Sequence, residues 1–270
     1  MSLRIQNNVE AFNAHRNLQM TEGGLARSME RLSSGFRINR AADDAAGLAI
    51  SERLRGQISG LDQTQRNVQD AVSLVQTAEG SLTEVHAMLQ RVRELADQNK
   101  NGSLSTADRT AIQSEVNQLG SEIERIGSSA EFNGIKLLNS AQTISFQVGA
   151  NDSQSIAVTT ISLGGSSGVG TTYLALTTSS TTDISEIDAA IDNVSSQRAT
   201  FGAVQNRLEY TLQNAAIYQE NLTASESRVR DVDMAAEMVN FTKLQILQQA
   251  GTSMLAQANV TSQGVLLLLR

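Results

Sequence analysis

Catalysis and metal binding need acid–base or ligand side chains at short, defined spacings, and this 270-residue chain offers few candidates. Its only two histidines, His15 and His86, sit in separate helical stretches with no His-x-x-x-His pair, so a zinc-type centre is not expected. Gly164-Gly-Ser166-Ser-Gly168 has the letters of a nucleophile elbow, but lacks the strand before and helix after that expose a reactive serine. The acidic pairs Asp43-Asp44 and Asp231/Asp233 could hold Mg²⁺. Arg37, Arg40, Arg228 and Arg230 lie close by in sequence, so ion pairing is the simpler expectation. Asn-x-Ser/Thr triplets such as Asn101 to Ser103 and Asn151 to Ser153 arise by chance in a Ser/Thr-rich chain. No catalytic, cofactor-binding or metal-binding residue is expected, and the chain reads as a non-enzyme.

Composition directs attention to helices instead. There is no Pro, Cys or Trp, and aromatic residues make up only 3%. Without Pro, helices can run long and uninterrupted. Without large aromatics, the core must come from Leu, Ile, Val, Met and Ala along helix seams. Absent cysteines exclude disulfides and thiolate sites and leave the redox compartment open. A net charge of −7 provides no basic field, which disfavours nucleic acid. No apolar run of 18 residues suggests membrane insertion, and the start lacks the pattern of a cleaved signal peptide.

From Leu54 to Ala96 the apolar positions follow a 4,3 rhythm through Leu54, Ile58, Leu61, Val68, Val72 and Val75, then Leu82, Val85, Leu89 and Val92. Gln65 interrupts it, and one phase shift is placed at Val75, Ala78 and Leu82. The spacing predicts a single helix of about 50 residues, roughly 75 Å long, and therefore a rod-like molecule. Asn101-Gly102-Ser103 ends that helix, and Ser105 with Asp108 resembles a capping arrangement for the next. Ile112, Val116, Leu119, Ile123 and Ile126 mark this second helix as an antiparallel neighbour. A third seam runs through Ile187, Ile191, Val194, Phe201, Leu208, Leu212, Ala215 and Leu222. Alternation at 143–148 and 155–159 predicts a β-hairpin, and the Gly/Ser/Thr-rich segment 160–182 reads as surface. The predicted fold is mainly α: an elongated antiparallel coiled-coil bundle with a small β-hairpin region and paired terminal helices.

Both termini are apolar. The tail carries Val265, Leu266, Leu268 and Leu269, and the start carries Leu3, Ile5, Val9 and Phe12. Contiguous apolar surface is normally covered, here by the other terminus or by another subunit. Between helices, Gly35 ends one stretch and Asp43-Asp44 begin the next, where carboxylates suit the positive end of a helix dipole and can accept free N–H groups.

The chain closely resembles bacterial flagellin. Asn7-Asn8, the Leu32 to Ser51 segment, Gln90-Arg-Val-Arg-Glu-Leu95, Glu131-Phe-Asn-Gly134, Phe146-Gln-Val-Gly-Ala150 and Leu255-Ala-Gln-Ala-Asn259 carry the likeness. The resemblance implies a structural subunit that polymerises into the flagellar filament. It implies an inner layer, D0, from residues 1–42 and 233–270, whose assembly residues would be Leu3, Ile5, Val9, Phe12, Val265, Leu266, Leu268 and Leu269. The D1 bundle would comprise 43–232 with its hairpin near 143–159, and Gly35, Arg37, Asn39, Asp43 and Asp44 would link the layers. Residues 160–182 stand where longer members carry outer domains, so a two-layer flagellin is implied. The family departs here at the tail, where Ser262, Gly264 and Leu267 replace Pro, Asn and Ser.

The implied partners are other copies of the chain, an export chaperone, the hook-associated junction and cap proteins, and the vertebrate Toll-like flagellin receptor. The location would be the extracellular flagellum, reached by flagellar type III export. Arg91, Leu95 and Glu115 match the residues that the receptor reads. The residues themselves allow another reading, in which Leu95 faces the bundle and Arg91 pairs with Glu115. A hook–filament junction protein of the same export route is the alternative function.

Overall fold

The computed structural model describes residues 8–163 and 184–268, the last eight of them as helical backbone only. Five α-helices account for most of it: α1 (Val9–Ser34), α2 (Ala45–Asn99), α3 (Thr106–Ser129), α4 (Ile184–Arg230) and α5 (Met234–Leu268). Two antiparallel two-stranded sheets lie between α3 and α4: β1 (Glu131–Phe132) with β2 (Ile135–Lys136), and β3 (Thr143–Gln147) with β4 (Ser155–Thr159). The chain divides into two compact units, 57–220 and the combination of 1–56 with 221–270, so that α2 and α4 each contribute to both.

The 57–220 unit is built on heptads. Along α2 the buried stripe is Leu61, Thr64, Val68, Ala71, Val75, Ala78, Leu82, Val85, Leu89, Val92 and Ala96, an unbroken alternation of three and four. The expected phase shift at Val75 is therefore absent. It occurs instead where half-buried Ile58 is followed by Leu61 and Thr64 at two successive steps of three. Thr64 and Ala71 complete the stripe, and both are fully enclosed although their small side chains give little apolar signal. On α4 the facing stripe is Ile187, Ala190, Val194, Gln197, Phe201 and Leu208.

Pairs between α2 and α4 fix their antiparallel direction: Arg93 Nε lies 2.6 Å from Asp188 Oδ1, Arg198 Nη2 lies 3.9 Å from Glu79 Oε1, and Gln65 Nε2 donates to Gln219 Oε1 at 2.5 Å. Gln65 is the residue that interrupts the apolar rhythm. Its amide is answered across the helix pair, as a polar insertion that fixes register should be. Helix α3 contributes Ile112, Val116 and Ile123, with Leu119 and Ile126 packed alongside. Ser105 caps it with a complete capping box, its hydroxyl accepting from the Asp108 N–H while the Asp108 side chain accepts from the Ser105 N–H.

The predicted hairpin is present, with Thr143 opposite Thr159 and Gln147 opposite Ser155. Ile144, Phe146, Ile156 and Val158 turn one face to the core, while the alternate residues are exposed. Gln197 Nε2 donates to Thr159 O at 2.8 Å, tying β4 to α4. The β1–β2 hairpin was not anticipated. Its two-residue turn, Asn133 (φ 49°) and Gly134 (φ 78°), needs positive φ at both positions, which Asn-Gly supplies most readily.

Candidate self-assembly interface: the terminal helices and their linkers

The second unit rests on an antiparallel pair formed by α1 and α5. Through the shielded side of α1 runs a stripe of Ala11, Ala14, Leu18, Thr21, Leu25, Ser28 and Leu32, flanked by partly buried Gly24, Glu30 and Arg31. The stripe on α5 is Glu237, Phe241, Leu244, Gln248, Gly251, Leu255 and Ala258. Both sets alternate strictly by three and four, so each helix presents one coiled-coil seam. Small residues let the backbones approach. A Cβ on Gly251 would stand 3.3 Å from Leu18 Cδ1, and one on Gly24 3.4 Å from Leu244 Cδ2. Asn8 works at both ends of this pairing: its Oδ1 caps α1 by accepting from Ala11 N–H, and its Nδ2 donates to Ala258 O, both at 3.0 Å. Arg31 and Glu237 stand 3.8 Å apart at the other end.

A narrow seam leaves the rest of each helix uncovered. Val9 and Phe12 point away from the seam, Phe12 with 71% of its surface exposed. Among the described residues the C-terminal helix is met by the seam residues and not by Val9 or Phe12. On α5, Val239 (71%), Ile246, Leu247, Met254 and Val260 are exposed, and only Glu237 and Lys243 carry charge between Met234 and Leu268. Met238, Val239, Ile246 and Leu247 line an apolar depression of about 510 Å³. A longer groove of about 640 Å³ runs between the two helices past Leu18, Leu247 and Met254. Contiguous apolar surface of this kind is seldom left open on a soluble monomer. Leu3, Ile5 and Leu269 lie outside the described residues, and of Val265, Leu266 and Leu268 only the helical backbone is described. The serine motif at Gly164 to Gly168 and nearly all of the 160–182 segment also lie outside.

The linker residues come together as one clasp. Gly35 ends α1 in the left-handed region (φ 76°), with its N–H bonded to Arg31 O. The chain then pairs with the α4–α5 connection through a bridge between Phe36 and Asp231. Val232 N–H donates to Gly35 O at 3.0 Å, Arg37 N–H to Arg230 O at 2.7 Å, and the Arg37 guanidinium to Val229 O at 2.6 Å. Asn39 Nδ2 donates to Ser34 Oγ and Phe36 O. Asp43 accepts the backbone N–H of Asn39 and Arg40, and Asp44 caps α2 by accepting from Gly47 N–H at 2.8 Å. The Arg40 amide chiefly holds the Asp43 carboxyl below its ordinary pKa, against partial desolvation.

The acids thus take the backbone, and the expected arginine pairing is corrected: Arg40 pairs with Glu30, and Arg230 with Glu52 and Glu226. Beneath them, Ile38 is buried and Ser51 donates to Glu226. Nothing in the spacing of 35–44 pointed to Val229–Val232 as its partner, because the contact is made largely by backbone.

In the bundle unit, Arg91 donates through Nε and Nη2 to Glu115 Oε1 at 3.0 and 2.9 Å, and both side chains are about half exposed. The bond to Glu115 raises the Arg91 pKa. Leu95 is buried at 2% exposure, as the bundle reading expected. Among the described residues no three His, Cys, Asp or Glu side chains gather as a metal site, and no helix is long and apolar enough to cross a membrane.

Residues 5–143 match the bacterial flagellin N-terminal helical region, and residues 184–269 its C-terminal helical region. The chain belongs to the bacterial flagellin family. It is 49% identical to the flagellin of Halalkalibacterium halodurans over 98% of this chain and 99% of that one. It is 47% identical to the flagellin of Bacillus subtilis over 99% and 100%. To the flagellar filament 33 kDa core protein of Treponema phagedenis it is 45% identical over 98% and 99%. Flagellin-family proteins are structural subunits of the flagellar filament, and these relatives do not favour the junction-protein alternative.

Proposed function

We propose that this flagellin-family chain polymerises by covering the outward face of the α1/α5 pair with the same unit of neighbouring copies. The observation that carries the reading is the largely apolar outer face of α5, with Lys243 its single exposed charge among the described residues, which no described part of the chain covers. Covering side chains such as Phe12 and Val239 contributes roughly 1.5–3 kcal/mol each, repeated for every subunit. In this reading residues 1–42 and 233–270 form the inner layer and 43–232 the outer bundle, and family resemblance adds Leu3, Ile5, Val265, Leu266, Leu268 and Leu269 to the assembly residues. The clasp of Gly35, Arg37, Asn39, Asp43 and Asp44 carries load between the layers.

The subunit reaches the growing tip through the flagellar type III route without a cleaved signal peptide, attended by an export chaperone, and meets junction and cap proteins there. The Arg91–Glu115 pair is the candidate contact for the Toll-like flagellin receptor. Leu95, from within the core, holds their helix in place.

Seeded polymerisation followed by electron microscopy tests the assembly reading. Val239→Asp and a chain truncated before Gln263 should both remain folded by circular dichroism and fail to elongate seeds. Full-rate elongation by both would overturn it. For the receptor, Arg91→Ala should lower activation of receptor-expressing cells; an unchanged response would remove that partner.

A further inference from the structure

Cys and Trp are absent, so the thioether of methionine is the most readily oxidised side chain in this protein. Among the described residues, five methionines belong to the unit of the terminal helices and are 48–64% exposed: Met20, Met29, Met234, Met238 and Met254. Met88, in the bundle, is partly buried and packed on the core. Two of the exposed five occupy the surfaces that self-assembly would use. Met238 lines the apolar depression with Val239, Ile246 and Leu247, and Met254 lines the groove between α1 and α5.

We infer that Met238 and Met254 are oxidation sites through which peroxides switch off self-association of the unassembled chain. This rests on the reading that neighbouring copies cover the α1/α5 face. The chemistry is closed: a sulfur lone pair attacks one peroxide oxygen, the S–O bond forms as the O–O bond breaks, and hydrogen peroxide leaves as water. Sulfur is oxidised by two electrons and the peroxide is reduced by two. The product replaces a flexible apolar contact with a polar, chiral sulfoxide. Docking a neighbour would then strip water from the sulfoxide oxygen beside Val239, Ile246 and Leu247, a desolvation cost that the apolar thioether does not carry; of the two polar side chains described in this lining, Thr242 already donates to Met238 O, which leaves the Lys243 ammonium as the one local donor. Copies already in a filament would have the same sulfurs covered. The modification therefore acts before assembly.

The test treats full-length chain with hydrogen peroxide, reads each methionine by peptide mass spectrometry, and measures seeded elongation of the same sample. Elongation should fall in step with sulfoxide at Met238 and Met254, and methionine sulfoxide reductases should restore it. M238L/M254L should elongate after the same exposure, whereas M20L/M29L/M234L should remain sensitive. Equal loss in M238L/M254L and wild type overturns the inference, as does normal elongation by chain oxidised at both positions. If M238L/M254L cannot elongate even untreated, reductase rescue of the wild type and the sensitivity of M20L/M29L/M234L decide. Preformed filaments supply the separate arm: equally fast reaction of Met238 and Met254 in filament and monomer would reject the assembly reading itself, whatever the monomer shows.

Discussion

The guanidinium of Arg230 lies 4.6 Å from the centroid of the Phe36 ring, while its Nη1 lies 3.1 Å from Glu52 Oε1. One side chain therefore holds the α1–α2 connection, α2 and the end of α4 together. Arginine suits this position because its flat cation can stack and donate at once. Replacing it with Lys should cost about 1 kcal/mol of local stability. Hydrogen exchange at the Arg37 and Val232 amides should then accelerate by about fivefold. Unchanged exchange at those amides would show that the backbone bridge holds alone.

Glycine substitutions in α2 should have opposite signs. A Cβ on Gly47 would stand 2.8 Å from Ile38 Cδ1 and closer still to the Asp44 carboxylate that caps the helix, whereas Gly80 has nothing within 4 Å. Gly47→Ala should destabilise by about 1–3 kcal/mol despite the better helix former. Gly80→Ala should stabilise by up to about 1 kcal/mol. Thermal unfolding of the two variants checks both signs, and a stabilised Gly47→Ala would mean that the clasp gives way freely.

Leu95 and Arg91 should separate in their effects. Leu95→Ala opens a hole in the bundle core and should cost about 2–5 kcal/mol. Arg91→Ala removes only two exposed pairs, with Glu115 and Glu94, and should leave unfolding almost unchanged. A receptor assay on the Leu95 variant therefore reports folding, while the Arg91 variant reports contact. Urea titration of the two proteins settles which is which.

The α3 cap should titrate with acid. Asp108 is held below its ordinary pKa of 3.8, first by the Ser105 hydroxyl and then by the Ser105 amide. A depressed carboxylate stabilises the folded state above the unfolded pKa, and this is lost as pH falls through the lower folded value. NMR titration should place Asp108 below 3.8, and Ser105→Ala should move it upward. A value that does not respond to Ser105→Ala would assign the shift to another cause.

Large apolar side chains made the bundle legible. Leu82, Val85, Leu89 and Val92 announce their heptad directly, and the alternation at 143–148 and 155–159 gives the hairpin with its limits nearly as found. The seam between α1 and α5 carries a weaker signal, because Ala11, Ala14, Thr21, Ser28, Gln248 and Gly251 alternate with Leu18, Leu25, Leu32, Phe241, Leu244 and Leu255 along it. The apolar residues that do stand out near the start, Val9 and Phe12, face outward. Asn133-Gly134 did carry a hairpin signal, but strands of two residues are too short to show alternation. The clasp is written in backbone hydrogen bonds, which are common to every residue but Pro and so invisible in a list of side chains.

The pairings of this chain are nested. Arg93 meets Asp188 across 95 residues, Gln65 meets Gln219 across 154, Arg37 meets Val229 across 192 and Asn8 meets Ala258 across 250. Closing the outermost loop from an extended chain would precede any compensating contact. Closing it after the inner ones adds little, since loop entropy rises only logarithmically with length. Folding should therefore zip from the middle of the sequence outward, and the two ends should be the last to close and the first to fray.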